Sequence, residues 1–288
     1  MKFLRFGPMG LEKPGILDRS GQVRDVSDHI VDITPETIAS GLLEHIRTTI
    51  DPEALPLAPT GVRIGSCVAS TGNFIAIGLN YAEHATETGA AIPKEPILFN
   101  KAPSCLSGPY DDVVLPPGST KSDWEVELSF VIGRKGFMIA EDRAFNYVAG
   151  YCICNDVSER EYQLEREGQW VKGKCFPTFG PLGPWLVTPD EVPDPQNLSL
   201  WMEVNGKRIQ NAHTRTMIFS VARLIADVSR YVILNPGDVI TTGTPPGVGL
   251  GLNPPRYLSA GDTMRLSVEG LGEQLQKVVA WPGHLAPL

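Results

Sequence analysis

Two glutamates separated by a single residue are the first candidates for chemistry. Glu125 and Glu127 lie in the segment DWEVELSFVIG, where they alternate with Trp124, Val126 and Leu128. This alternation predicts a β-strand with both glutamates on one face, about 7 Å apart along the backbone. Two like charges side by side destabilise a strand unless a counter-charge neutralises them. A divalent cation would do so, and the lack of His or Cys beside the glutamates favours Mg²⁺, Mn²⁺ or Ca²⁺ over Zn²⁺.

The same spacing has a second interpretation, in which both glutamates face water on the polar side of a half-exposed sheet. A third carboxylate favours the metal site, because Asp156 follows directly after the apolar run YCICN. Burial of the glutamates would also favour it, since a buried unpaired carboxylate costs several kcal/mol. Spacing alone leaves both interpretations open.

The elements that must position these residues are short and mostly extended. The sequence contains 29 Gly and 25 Pro, which favours many strands and turns over long helices. Two helices are nevertheless predicted, at ITPETIASGLLEHIRTTI, with Thr34 or Thr37 as its cap, and at FSVARLIADVSRYVIL. The pattern indicates an α+β protein and lacks a regular βαβ alternation. We predict a small N-terminal α+β domain at 1–70 and a second, β-rich domain at 71–288.

Composition excludes several classes of partner. The net charge of −8 argues against nucleic-acid binding, which calls for a basic surface. The five cysteines show no C-x-x-C spacing, so we expect free thiols and a reducing compartment. No segment is apolar enough for a signal peptide or a membrane span. A cytoplasmic protein with no membrane partner is the expectation.

A series of segments in order resembles a known family. These segments are GLNYAEHATETG, EPILFNKAP, DWEVELSFVIG, AGYCICNDVSER, GKCFPTFGPLGPWL, VNGKRIQ, MIFSV and NPGDVITTGTPPGVG. Together they resemble the fumarylacetoacetate hydrolase family from about Phe74 to the C-terminus. The resemblance implies a β-rich catalytic domain with a central rolled mixed β-sheet, a homodimer, and one Mg²⁺ or Mn²⁺ ion.

The resemblance also implies a role for individual residues. Its metal ligands correspond to Glu125, Glu127 and Asp156. Its catalytic residues correspond to His84, Glu87 and Lys174, and its substrate-binding residues to Gln163 and Thr244. His84 and Glu87 are three apart, so they share a face of a short helix. This helix is polar and bounded by Gly78 and Gly89, and we predict that it is a lid that orders on substrate binding.

The implied reaction is hydrolysis of a carbon–carbon bond in a small anionic 2,4-diketo acid, releasing pyruvate. The N-terminal stretch resembles the subgroup that cleaves 2,4-diketo-3-deoxy sugar acids, such as the L-rhamnonate or L-fuconate derivatives, to pyruvate and lactate. Alternatives on a similar metal site are an oxaloacetate decarboxylase and a ureidoglycolate lyase. The chain departs from the common family pattern at Trp124, Cys175 and Glu161, which bears on substrate preference and leaves the metal ligands intact.

Overall fold

The computed structural model describes residues 1–283. Its strands are β1 (Lys2–Phe6), β2 (Lys13–Leu17), β3 (Val23–Asp25), β4 (Phe74–Gly78), β5 (Ile97–Lys101), β6 (Leu106–Ser107), β7 (Val113–Val114), β8 (Ser122–Asp123), β9 (Val126–Ile132), β10 (Val148–Asn155), β11 (Ser158–Glu159), β12 (Gly180–Val187), β13 (Ser199–Val204), β14 (Lys207–His213), β15 (Val239–Thr241), β16 (Thr263–Val268) and β17 (Glu273–Val279). Its α-helices are α1 (Pro35–Ala39), α2 (Leu42–Thr49), α3 (Ala82–Glu87), α4 (Val171–Lys174) and α5 (Val221–Val228).

The central element is a mixed sheet of ten strands. Nine of them follow the order β3-β2-β1-β12-β10-β9-β15-β4-β5, and β6 pairs with β12. β9 runs antiparallel to both β10 and β15 in the middle of this sheet. All seven residues of β9 are buried, so both faces of the strand are covered. This burial excludes the half-exposed sheet in which the glutamates would face water.

A second, antiparallel core sheet lies against the first. Its strand order is β14-β13-β16-β17-β7, and only the β17–β7 pair is parallel. β13 and β16 alternate buried apolar residues with more exposed ones, as expected for strands with one face on a core. Most buried apolar side chains of both sheets form one continuous hydrophobic core, while Leu4 and Phe6 of β1 form a small separate cluster with Ile64. The α+β, β-rich fold is therefore confirmed.

The N-terminal region extends the central sheet. β1 pairs with β12 through Lys2↔Val187 and Phe3↔Leu186, so the first seventy residues share hydrogen bonds with the catalytic region. The predicted domain boundary at residue 70 stays a prediction. The predicted helix from ITPETIASGLLEHIRTTI is wrong in its continuity, since it is split into α1 and α2 by Gly41, whose φ of 79° is left-handed. Thr34 caps α1 by accepting a hydrogen bond from the Thr37 N–H.

The described helices are short. Within residues 1–283, none has both the length and the apolar character that crossing a membrane requires.

Candidate active site and metal centre

The three predicted metal ligands meet where β9 begins and β10 ends. Glu125 immediately precedes β9 and Glu127 is its second residue, while Asp156 immediately follows β10. The two strands are antiparallel, with Cys154 opposite Glu127, so the start of one lies beside the end of the other. One carboxylate oxygen from each residue lies within 4.8 Å of the others. The three side chains are buried, with exposures of 4 %, 1 % and 0 %.

Two buried lysines neutralise part of this carboxylate cluster. The Lys174 ammonium lies 2.7 Å from Glu125 Oε2 and 2.7 Å from Asp156 Oδ2. The Lys101 ammonium lies 2.6 Å from Asp156 Oδ1 and 2.6 Å from the Lys174 carbonyl oxygen. Both oxygens of Asp156 therefore accept hydrogen bonds from a charged donor. Burial alone would lower the pKa of Lys101, but the charge of Asp156 and its other polar neighbours together outweigh burial and raise that pKa.

Arg160 links a fourth carboxylate to the cluster. Its Nη2 donates to Glu125 Oε1 at 2.6 Å and its Nε donates to Asp123 Oδ2 at 2.8 Å. Its Nη1 donates to Gln163 Oε1 at 2.9 Å. Burial would raise the pKa of Glu125, but the charges of Lys174 and Arg160 outweigh burial and hold that pKa well below its usual range.

Glu127 has the opposite electrostatic environment. Its Oε2 accepts hydrogen bonds from the Thr241 hydroxyl and, at 2.9 Å, from the Gly243 N–H, but it pairs with no cation among residues 1–283. Burial, together with the negative charges of Asp156 and Glu125, raises the pKa of Glu127 well above its usual range.

The residues present fit a divalent cation. The buried charges around the cluster leave one negative charge in excess among the described residues. The acidic members are Asp123, Glu125, Glu127 and Asp156, and the basic members are Lys101, Arg160 and Lys174. An all-carboxylate donor set suits hard ions such as Mg²⁺ and Mn²⁺. The cation would relieve the repulsion that otherwise falls on Glu127.

His84 and Glu87 form a hydrogen-bonded pair on α3. His84 Nδ1 lies 2.8 Å from Glu87 Oε1, as their spacing of three residues predicts. Glu87 also accepts a hydrogen bond from the Gly247 N–H at 2.9 Å, which ties α3 to the TGTPPGVG turn. A Cβ on Gly251 would lie 2.7 Å from the Glu87 carboxyl carbon, so this side chain is closely packed. The structure holds α3 in this packed position, and its movement as a lid stays a prediction.

The TGTPPGVG turn binds carboxylates of the protein itself. Its Gly243 and Gly247 N–H groups are used by Glu127 and Glu87. The Thr244 hydroxyl donates to the Val126 carbonyl at 3.0 Å and accepts from Gln210 at 2.9 Å. Because this hydroxyl is engaged, the group that Thr244 would offer a substrate carboxylate is its main-chain N–H.

One cavity of about 140 Å³ brings most of the predicted site residues together. Those that line it are His84, Glu125, Glu127, Gln163, Lys174 and Thr244. Asp156 lies behind Lys174, and Glu87 lies behind His84. Predicted site residues that lie as far apart in the sequence as His84 and Thr244 therefore line one cavity.

Sequence reasoning missed three residues of this site. Lys101, Arg160 and Gln210 lie in the segments FNKAP, NDVSER and VNGKRIQ. Gln210 is buried on β14 and donates to both Thr244 and the Pro245 carbonyl, while its Oε1 accepts from the Val126 N–H. Their ordered segments were the available signal, but a lone Lys, Arg or Gln has no periodicity that predicts burial.

Comparison with known proteins finds similar sequences and structures. The chain is 59 % identical over 278 residues to a protein of Burkholderia orbicola strain AU 1054 named "Putative hydrolase", covering 96 % of this chain and 98 % of the relative. The fumarylacetoacetate hydrolase of Exiguobacterium antarcticum has a similar structure, with a TM-score of 0.87, 35 % identity, and coverage of 98 % of this chain and 100 % of that one.

A third similar protein carries a metal. The maleylpyruvate hydrolase of Sphingobium sp. SYK-6, solved in complex with manganese (II) ion and pyruvate, has a TM-score of 0.80 at 29 % identity, covering 97 % of this chain and 99 % of that one. The family "Fumarylacetoacetate (FAA) hydrolase C-terminal" matches residues 73–279. The chain therefore belongs to the fumarylacetoacetate hydrolase family.

Proposed function

We propose that the protein is a divalent-metal-dependent hydrolase that cleaves the C3–C4 bond of a 2,4-diketo acid, giving pyruvate and a carboxylic acid. The observation that carries this proposal is that His84, hydrogen-bonded to Glu87, lines the same cavity as Glu125 and Glu127 of the buried three-carboxylate cluster. A hydrolase that breaks such a bond needs both a base for water and a site that tolerates a developing enolate.

Glu125, Glu127 and Asp156 would hold Mg²⁺ or Mn²⁺. When bound, the ion would supply Lewis-acid stabilisation for negative charge at the pyruvoyl end of the substrate. Support comes from the uncompensated charge at Glu127 and from the manganese and pyruvate bound by the similar maleylpyruvate hydrolase. The remaining steps belong to the side chains of this chain.

His84 is the proposed general base. Its Nδ1 hydrogen bond to Glu87 directs the proton to that nitrogen and leaves Nε2 with a free lone pair. Nε2 takes a proton from a water molecule, and the resulting hydroxide adds to the C4 carbonyl carbon. Collapse of the tetrahedral adduct breaks the C3–C4 bond, and the bonding electrons leave with the pyruvate enolate, which is then protonated at C3. General base action of this kind contributes about 10²–10⁴-fold.

Lys174, Gln163 and Thr244 are the proposed substrate contacts. Two of the three N–H donors of Lys174 bind Glu125 and Asp156, so one remains for an oxyanion or a carboxylate of the substrate. The Gln163 amide nitrogen donates to no residue within 1–283, because Arg160 engages only its oxygen. The Thr244 N–H adds a neutral donor.

The experiment is turnover of a panel of 2,4-diketo acids with Mg²⁺ or Mn²⁺, followed by pyruvate release. His84→Ala is expected to lose C–C hydrolysis, whereas His45→Ala, at an exposed position on α2, is the matched control and should retain it. Loss of hydrolysis with retained oxaloacetate decarboxylation would show that His84 serves water activation. Wild-type protein that decarboxylates oxaloacetate but hydrolyses no diketo acid would favour the lyase over the hydrolase.

The assembly and location are also proposals. We propose a homodimer in the cytoplasm, acting on a small anionic diketo acid, in keeping with the family. Sedimentation equilibrium would test the dimer, since the monomer mass is 31.3 kDa. A single species at the monomer mass would overturn it.

A further inference from the structure

The cavity has two unlike sides. One side carries the carboxylate cluster with Lys174 and Arg160. Apart from Thr88 and the proposed catalytic and substrate-binding residues, the rest of the lining is apolar. We call five of its side chains the apolar wall: Leu79, Phe99, Leu164, Trp170 and Leu250. The wall is assembled from the segments after β4, within β5, before α4 and after the TGTPPGVG turn.

The wall adjoins the carboxylate side of the cavity at Lys174. The Lys174 ammonium is 2.7 Å from Glu125 and 5.1 Å from the centre of the Phe99 ring. The Phe99 and Trp170 rings meet edge to face with centroids 5.4 Å apart. A molecule whose pyruvoyl end lies at the carboxylates would fill the rest of the same cavity, which Phe99 and Trp170 line.

Two backbone features show that the wall is built closely. A Cβ on Gly78 would lie 2.5 Å from Cζ3 of Trp170, so only glycine lets the indole lie against the end of β4. Leu79, the next residue, has a φ of 54°, in the left-handed region that a leucine rarely adopts. Unfavourable backbone conformations of this kind cluster at ligand sites.

We propose that the apolar wall selects a substrate whose acyl group at C4 is an unsubstituted alkyl or aryl group. This inference rests on the proposed function and replaces the hydroxylated acyl group implied by the sugar-acid resemblance. The side chains of the wall offer a hydroxyl group one polar atom, the Trp170 indole nitrogen. The Thr88 hydroxyl, which lines the same cavity, is already engaged with the main-chain carbonyls of His84 and Ala85. A hydroxyl buried there without a partner loses its hydrogen bonds to water, whereas each buried methylene favours binding.

The test is a matched pair of substrates that differ by one hydroxyl group. We expect kcat/KM for 2,4-dioxohexanoate to exceed that for 5-hydroxy-2,4-dioxohexanoate by about tenfold to a hundredfold. From 2,4-dioxopentanoate to 2,4-dioxoheptanoate, kcat/KM should rise roughly fourfold per methylene. Equal or faster turnover of the hydroxylated acid would overturn the inference while leaving the hydrolase intact.

Variants of Trp170 connect the preference to the wall. Trp170→Ala should flatten the chain-length dependence, mainly through KM. Trp170→Phe keeps an aromatic face without the N–H and should preserve the chain-length dependence. Gly78→Ala should weaken binding of the longest acid most, because its methyl group displaces the indole. Trp201→Ala, on β13 outside the cavity, is the matched control and should keep the wild-type slope. Loss of the chain-length dependence in Trp170→Phe as well as in Trp170→Ala would mean that the apolar aromatic face does not set the preference, and would overturn the inference.

A binding measurement keeps the inference testable without catalysis. Calorimetry with Mn²⁺ and the 2-oxo acids pyruvate, 2-oxopentanoate and 2-oxohexanoate should show affinity rising with chain length in wild type and not in Trp170→Ala. No turnover of any diketo acid would refute the proposed hydrolase. A flat affinity series would refute the apolar wall as the specificity determinant, so the two failures are distinct.

Discussion

Two clusters of charged side chains in this protein have the same excess of negative charge but differ in how that charge can be neutralised. The first is the carboxylate cluster with its three cations. The second is an ion-pair network at the N-terminal region, in which each arginine bridges two carboxylates. Its members are Arg5, Glu12, Asp32, Arg63 and Asp111, linked by contacts of 2.6 to 3.3 Å. Each cluster contains one more carboxylate than it has cations.

Water distinguishes the two. The network lines an open groove of about 830 Å³, and its side chains range from 7 % exposed at Glu12 to 26 % exposed at Arg63. Water can therefore solvate its excess charge. In the carboxylate cluster the paired side chains are 0–5 % exposed, so the excess falls on Glu127 and raises its pKa. Water can therefore neutralise the excess charge of the network, whereas at Glu127 a bound cation is the proposed way to neutralise it.

The largest expected effect is on catalysis at Glu127. Glu127→Gln keeps an oxygen for the Thr241 and Gly243 hydrogen bonds and removes the negative charge. We expect turnover to fall on the order of 10³-fold, comparable to the loss of a main electrostatic contact to the transition state. Steady-state rates at saturating Mn²⁺ measure this. The turnover rate of Asp111→Asn in the network should stay within about twofold of the wild-type rate. Equal losses of turnover in both variants would contradict the proposed difference between the two clusters.

The second prediction concerns stability at Lys101. Lys101→Met leaves one oxygen of buried Asp156 without its charged donor. Breaking a buried pair from one side costs about 3–5 kcal/mol of unfolding free energy. Arg5→Met in the more solvated network should cost less, because water can replace the lost donor. Urea denaturation of both variants tests this, and a larger loss in Arg5→Met would contradict it.

The third prediction is a metal-dependent gain in stability. A divalent ion at about 100 times its dissociation constant should stabilise wild type by about 2.7 kcal/mol. Thermal unfolding with Mn²⁺ and then with excess chelator measures the gain. Asp111→Asn should retain the full gain, whereas Glu127→Gln should lose most of it. An undiminished gain in Glu127→Gln would mean that the ion binds elsewhere.

The smallest expected effect is on the unfolding free energy of the two variants without metal, which should change in opposite directions. Asp111→Asn weakens the pair with Arg63 and should destabilise the fold by about 1–2 kcal/mol. Glu127→Gln removes a repelled buried charge and should raise metal-free stability. Chemical denaturation in chelator compares them. Destabilisation of both variants would show that the negative charge of Glu127 is neutralised by its neighbours as fully as that of Asp111.

Local patterns predicted much of the fold. The alternation in DWEVELSFVIG predicted β9, and Thr34 was one of two predicted caps of α1. Helical periodicity did not detect the break at Gly41, because a left-handed glycine interrupts a helix without disturbing the apolar stripe around it. The predicted site residues came from ordered segments resembling the family, which carry residue identities but no distances.

The sequence by itself determined the fold class, the shared face of Glu125 and Glu127, and the helical spacing of His84 and Glu87. The tertiary structure decided which carboxylate bears the excess charge, since that depends on Lys101 lying 2.6 Å from Asp156 across 55 residues. It also decided that Gly247 holds Glu87 across 160 residues, and that an apolar wall lines the same cavity as the carboxylates. Periodicity reports only neighbours along the chain, whereas burial and charge balance depend on neighbours in space.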